Sequence, residues 1–67
     1  MEWTHRIYGK HPEHTKGRFK AMDTNNGSLA GNLIYATMFD LETAKKVASG
    51  LNKQNSSDNW IFESRKI

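Results

Sequence analysis

Asp40-Leu-Glu-Thr-Ala-Lys-Lys-Val-Ala-Ser-Gly-Leu-Asn52 decides the fold, because it reads as an amphipathic helix around which the remaining residues must be arranged. Asp40 is an N-cap residue: its carboxylate can accept orphan backbone N–H bonds and complements the positive end of the helix dipole. Leu41, Ala44, Val47, Ala48 and Leu51 fall on one stripe at helical spacing, while Glu42, Lys45, Lys46 and Lys53 lie away from it as a solvated face. Gly50 costs about 1 kcal/mol relative to Ala without interrupting the stripe. The spacing predicts a helix from Asp40 to the region of residues 52–55.

Working outward, the residues before the helix, 32–39, are apolar at alternate positions on both sides. Leu33, Tyr35 and Phe39 fall on one side, and Ile34, Ala36 and Met38 on the other. That pattern predicts a central strand buried on two faces. Asp23-Thr-Asn-Asn-Gly-Ser precedes it as a turn cluster, since Asn26-Gly27 accepts the positive φ of tight hairpins. A strand over residues 18–23, with Phe19 and Ala21 facing the core, should pair antiparallel with it. Residues 3–8 alternate as a half-buried first strand, with Trp3, His5 and Ile7 on one side and Thr4, Arg6 and Tyr8 on the other. Residues 9–17, polar, glycine-bounded and holding Pro12, read as a loop. Residues 60–67 read as a closing strand, with at least one of Trp60 and Phe62 in the core.

The fold expected is α+β, in the order β-β-β-α-β: a mainly antiparallel four-stranded sheet with one helix on one face. A right-handed crossover through the helix to a parallel last strand is the default connection. One domain spans residues 1–67, because a chain this short buries only about 60% of its unfolded surface and cannot divide into two cores. Two Trp, two Tyr and three Phe supply enough volume for one sheet on one helix.

With no cysteine, neither disulfides nor thiolate metal sites are available. The opening Met-Glu-Trp-Thr-His lacks a signal-peptide pattern and no apolar run approaches the roughly 20 residues that span a bilayer, so a cytoplasmic location without membrane contact is expected. Asn26 and Asn55 begin Asn-x-Ser triplets, read here as turn residues.

Chemistry-bearing constellations are sparse. His5, His11 and His14 match no zinc spacing and read as solvated loop side chains, so no metal is expected. Glu13, Asp23, Glu42, Asp58 and Glu63 read as surface charge, since a catalytic carboxylate needs a concave, partly dry site. Gly9-Lys10 and Gly17-Arg18 lack the context of a phosphate loop. No cofactor and no enzymatic activity are expected.

The charge distribution is more informative. Residues 1–22 hold Arg6, Lys10, Lys16, Arg18 and Lys20 against Glu2 and Glu13, and from residue 23 onward five basic and five acidic side chains cancel. If the first two strands pair, Arg6, Tyr8, Arg18 and Lys20 share a face, with Lys10 and Lys16 in the joining loop. Cations beside an aromatic ring suit nucleic acid, the cations meeting phosphates and the ring a base. A second expectation is a protein-contact surface: one helix covers only one sheet face, leaving Leu33, Tyr35 and Phe39, or their opposites Ile34 and Met38, for a partner or a second copy. The bland alternative has Arg6 and Lys20 folded over the rings.

Arg18-Phe-Lys-Ala-Met-Asp, Asn32-Leu-Ile-Tyr-Ala-Thr-Met-Phe, the helix with Ala44 and Leu51, and Trp60-Ile-Phe-Glu-Ser-Arg-Lys together resemble small accessory proteins of bacterial phages and plasmids. Trp3, Ile7, Gly9-Lys10, Pro12, Thr15-Lys16 and Phe39 with the following helix resemble the arm-binding domain of tyrosine integrases. That likeness implies a sheet docked on DNA; a long third strand and a fourth strand are not part of its pattern.

Overall fold

In the computed structural model, which describes residues 3–67, the chain runs β1 (His5–Lys10), β2 (Lys20–Asp23), β3 (Ser28–Leu29), a 3-10 turn (Leu33–Tyr35), β4 (Met38–Phe39), α1 (Leu41–Gln54) and β5 (Ile61–Lys66). Glu2, one of the two acids counted against the N-terminal cations, lies outside the described residues. The expected α+β class holds: one helix lies on one face of an antiparallel sheet.

The sheet is built around β1. Its whole length pairs with β5, from His5 opposite Lys66 to Lys10 opposite Ile61. Its other edge is shared: β2 takes the C-terminal half, with Tyr8 opposite Ala21, and β4 takes the N-terminal half, with His5 opposite Phe39. β3 closes the hairpin with β2, Met22 opposite Leu29, around the expected turn with Gly27 at φ 64°. Because β4 and β5 both run antiparallel to β1, the helical connection between them joins two parallel strands, as expected. They are not neighbours, since β1 lies between them.

The long two-sided strand expected over residues 32–39 is replaced by a turn. Asn32 accepts the Ile34 N–H on its side-chain oxygen (3.2 Å), and its carbonyl accepts from Tyr35 (3.0 Å). This local bonding competes with extended structure, and the central position is already filled by β1. The chain rejoins the sheet only at Met38. The first strand is likewise displaced toward the C-terminus, so that Gly9 and Lys10 belong to it rather than to the loop.

Ile7 and Ala44 are fully buried and form the core with Met22, Ala48 and Phe62, ringed by Leu29, Phe39, Val47, Leu51 and Trp60. Alanines at the helix contact let α1 approach the sheet closely. The helix is also tied to the free edge of β5: the Phe62 N–H donates to Asn52 Oδ1 (2.7 Å), and Asn52 Nδ2 donates to the Phe62 carbonyl (2.8 Å). One amide thus supplies the hydrogen bonds that another strand would have made.

Gly9 faces Phe62, and a Cβ built there would lie 2.9 Å from Phe62 Cε1 and 3.1 Å from Met22 Sδ. Gly9→Ala should therefore cost about 1–3 kcal/mol by overpacking. Gly50, with open space around it, should gain up to about 1 kcal/mol as Ala. Opposite displacements of the urea midpoint are expected, and a gain from Gly9→Ala would contradict this packing.

Asp40 stands at the N-cap, its carbonyl accepting from Ala44 (2.9 Å). Its carboxylate makes no cap hydrogen bond of full geometry, but the Thr43 hydroxyl, aided by backbone N–H groups of the first turn, holds its pKa below the ordinary value. The folded pKa lies below the unfolded one, so this stabilisation is present above the carboxylate range and is lost as pH falls through the folded pKa. The thermal midpoint should drop below about pH 4, and Asp40→Asn should flatten that drop.

Candidate functional site

Strand register divides the cations expected on one surface. Paired residues of neighbouring strands share a face, so Tyr8 lies with Ala21, and Lys20 lies with Gly9 on the helix-bearing side. Lys20 therefore does not join Arg6 and Tyr8. Phe19, expected in the core, follows Tyr8 onto the helix-free face; Ala21 lies on that side too but is buried as expected, and Met22 joins the core beneath the helix. A one-residue difference in pairing exchanges every side chain between the faces, which accounts for both corrections.

On the helix-free face, Tyr8 and Phe19 form a pair of half-buried rings. The Arg65 guanidinium lies 4.6 Å from the Phe19 ring centre and 5.1 Å from that of Tyr8, and Lys10 Nζ lies 4.8 Å from Phe19. Such placements are stabilised by the negative faces of the rings. Glu63 is ion-paired with Arg65. Arg6 stands opposite Arg65 in the β1–β5 ladder, and its buried Nε meets no acceptor among the described residues. The cations over the rings are thus Arg65 and Lys10, not Arg6 and Lys20. Phe19 and Arg65 were not among the residues picked from the sequence. The alternation of Ile61, Glu63 and Arg65 carried the signal, but using it required knowing that the last strand pairs with the first.

Lys16, Arg18 and Lys20 form a second group, which with Glu13, His14 and Thr15 lines a depression of about 470 Å³. The loop beneath them is built rather than slack. Buried Thr15 accepts the His11 N–H on Oγ1 (2.9 Å) and donates the same hydroxyl to the His11 carbonyl (3.0 Å). His11 Nδ1 accepts from the backbone of Glu13 (3.0 Å) and His14 (3.3 Å). His11 and His14 lie in the loop as expected, His14 exposed, and their rings also pack on Trp60 at 5.1 and 5.7 Å. His5 Nδ1 instead meets Thr4 Oγ1 at 2.7 Å. Among the described residues no group of three His, Asp or Glu side chains is placed to hold a metal.

The expected contact trio is also divided. Phe39 in β4 packs against the core, whereas Leu33 and Tyr35 stand exposed on the 3-10 turn. Trp3, Ile34, Tyr35 and Met38 surround a shallow depression of about 340 Å³, with Ile34 and Tyr35 77% and 64% exposed. Leu33, Ile34, Tyr35 and Met38 therefore leave an apolar corner beside β4, while Ile61, opposite Lys10, stands exposed on the helix-free sheet face.

Comparison of the chain with protein-family models, with curated proteins and with solved structures finds no match in any of the three. Among the described residues no helix is long and apolar enough to cross a membrane.

Thr15→Val keeps the side-chain shape and removes both hydroxyl bonds, leaving a buried donor and acceptor unpaired. A loss of about 1–3 kcal/mol in urea unfolding is expected, with increased solvent quenching of Trp60 fluorescence. An unchanged midpoint would show that the loop does not depend on this bond pair.

Proposed function

We propose that the protein is a non-enzymatic module that binds single-stranded nucleic acid on the helix-free face of its sheet. The observation that carries this reading is the ring pair Tyr8 and Phe19, flanked by Arg6, Lys10 and Arg65 with Glu63 as the one acid paired among them. Bases stack on exposed rings or guanidinium planes, and cations beside them meet the phosphates. A broad sheet face favours a strand with accessible bases over a duplex, whose base edges lie within grooves and call for a protruding element. The cytoplasm, where single-stranded nucleic acid is met, is the compartment this reading assigns.

Fluorescence anisotropy with labelled oligonucleotides tests it. Three phosphate contacts give a logarithmic salt slope of about −2 on a single strand. Arg65→Gln with Lys10→Gln should flatten that slope, and Phe19→Leu with Tyr8→Leu should weaken binding by about 1–3 kcal/mol per stacked base lost. Absence of binding at low salt by the folded protein would overturn the proposal.

The exposed corner of Trp3, Ile34, Tyr35 and Met38 favours a second reading, in which a protein partner or another copy of this chain is bound. Concentration-dependent light scattering that Tyr35→Glu abolishes, together with no nucleic-acid binding, would transfer the assignment to that surface.

A further inference from the structure

We infer that the helix-bearing side of the molecule holds a separate site for a free mononucleotide, its base between the β2–β3 hairpin and Trp60 and its phosphate on Lys16, Arg18 and Lys20. Two depressions meet there. One, of about 380 Å³, has an apolar floor of Met22, Leu29, Leu51, Trp60 and Phe62, and polar groups of Thr24, Ser28 and Asn55 among its walls. The other is the cationic depression around the β1–β2 loop, in which Glu13 is the one acid. His14 lines both and is their common wall.

The apolar depression has the size of an ordinary small-ligand site, roughly 300–1,000 Å³, and the usual composition of an apolar lining with few polar groups. Its rings favour a flat occupant: Trp60 lies within 12° of the Phe62 plane and within 7° of the His14 plane. Asn55 Nδ2 already donates to the Leu51 carbonyl (2.9 Å). An acyl chain would satisfy the floor but offer nothing to the Thr24 and Ser28 hydroxyls. A nucleobase is flat and presents hydrogen-bonding edges to them. The adjoining three cations then select a base that carries a phosphate.

Lys16 gives independent support. Its backbone is left-handed, at φ 54°, a region that costs a lysine roughly 1 kcal/mol and that asparagine or glycine adopts more readily. Strain of this kind, held in place by the Thr15 bonds, is explained if the lysine is retained for its charge.

Trp3→Phe leaves Trp60 as the sole tryptophan, so its fluorescence reports the pocket directly. Adenosine and guanosine monophosphates should produce a saturable change, with the parent nucleosides at least about tenfold weaker because the charge-assisted phosphate bonds are lost. Lys16→Asn should weaken the monophosphates while holding or raising the thermal midpoint, and Arg18→Gln with Lys20→Gln should bring them to the nucleoside level. Arg65→Gln with Tyr8→Leu, on the other face, should leave mononucleotide binding unchanged whether or not it abolishes oligonucleotide binding. Equal binding of nucleoside and nucleotide, saturation by decanoate but not by nucleotide, or no saturation up to about 10 mM would each overturn the inference.

Discussion

The Phe62 ring lies against Gly9 so closely that even a Cβ there would force the ring to shift, and this contact fixes how the last strand meets the first. Around it β5 runs the full length of β1, so residues from the two ends of the chain make the longest ladder in the sheet. Closing that loop carries an entropic cost that rises only slowly with length, and it is offset by burial of Ile7, Phe62 and Met22 beneath Ala44 and Ala48. Asn52 completes the arrangement by bonding the outer edge of β5 at Phe62 itself. Helix, central strand and closing strand therefore converge on one residue pair.

The same ladder determines which groups can act together. With Phe62 inward opposite Gly9, Glu63 stands opposite Tyr8 and Arg65 opposite Arg6 on the outer face. Arg65 is distant from Tyr8 and Phe19 in sequence, yet it lies over both rings. Conversely, Lys20 is close in sequence to Phe19 and points to the other side of the sheet. The basic surface was misassigned because the alternation within β2 is real but its phase relative to β1 differs by one residue.

Much of this architecture was legible in residue patterns. The helix followed from its apolar stripe and from Asp40, the hairpin turn from Asn26-Gly27, and the closing strand from the Trp60-to-Phe62 run, since each rests on local chemistry. Residues 32–39 were misread because their alternation was real while Asn32 supplied competing local bonds, and because β1 already occupied the centre of the sheet. Arg6 and Tyr8 were correctly grouped within one strand, whereas Lys10, expected in the joining loop, belongs to that strand as well. Arg65 and Phe19 could not be added, since doing so needs the register of β1 with β5 and β2, a tertiary property set by Gly9 and Phe62.

The basic N-terminal third consequently does not act as one field. Arg65 lies over both outer-face rings and Lys10 over Phe19, with Arg6 opposite Arg65 in the ladder. Lys16, Arg18 and Lys20 gather around a loop stiffened by Thr15 and His11, beside an apolar depression under Trp60. Screening over about 8 Å at physiological salt limits each cluster to what touches it directly, and the low-dielectric sheet and core keep the two surroundings chemically distinct. A net charge of +3 on the whole chain thus describes neither surface: each holds three cations against one acid, and what separates them is shape, an open ring-bearing face in one case and a recess in the other. Shape therefore separates the two proposed occupants, a chain laid across the first and a small molecule enclosed by the second.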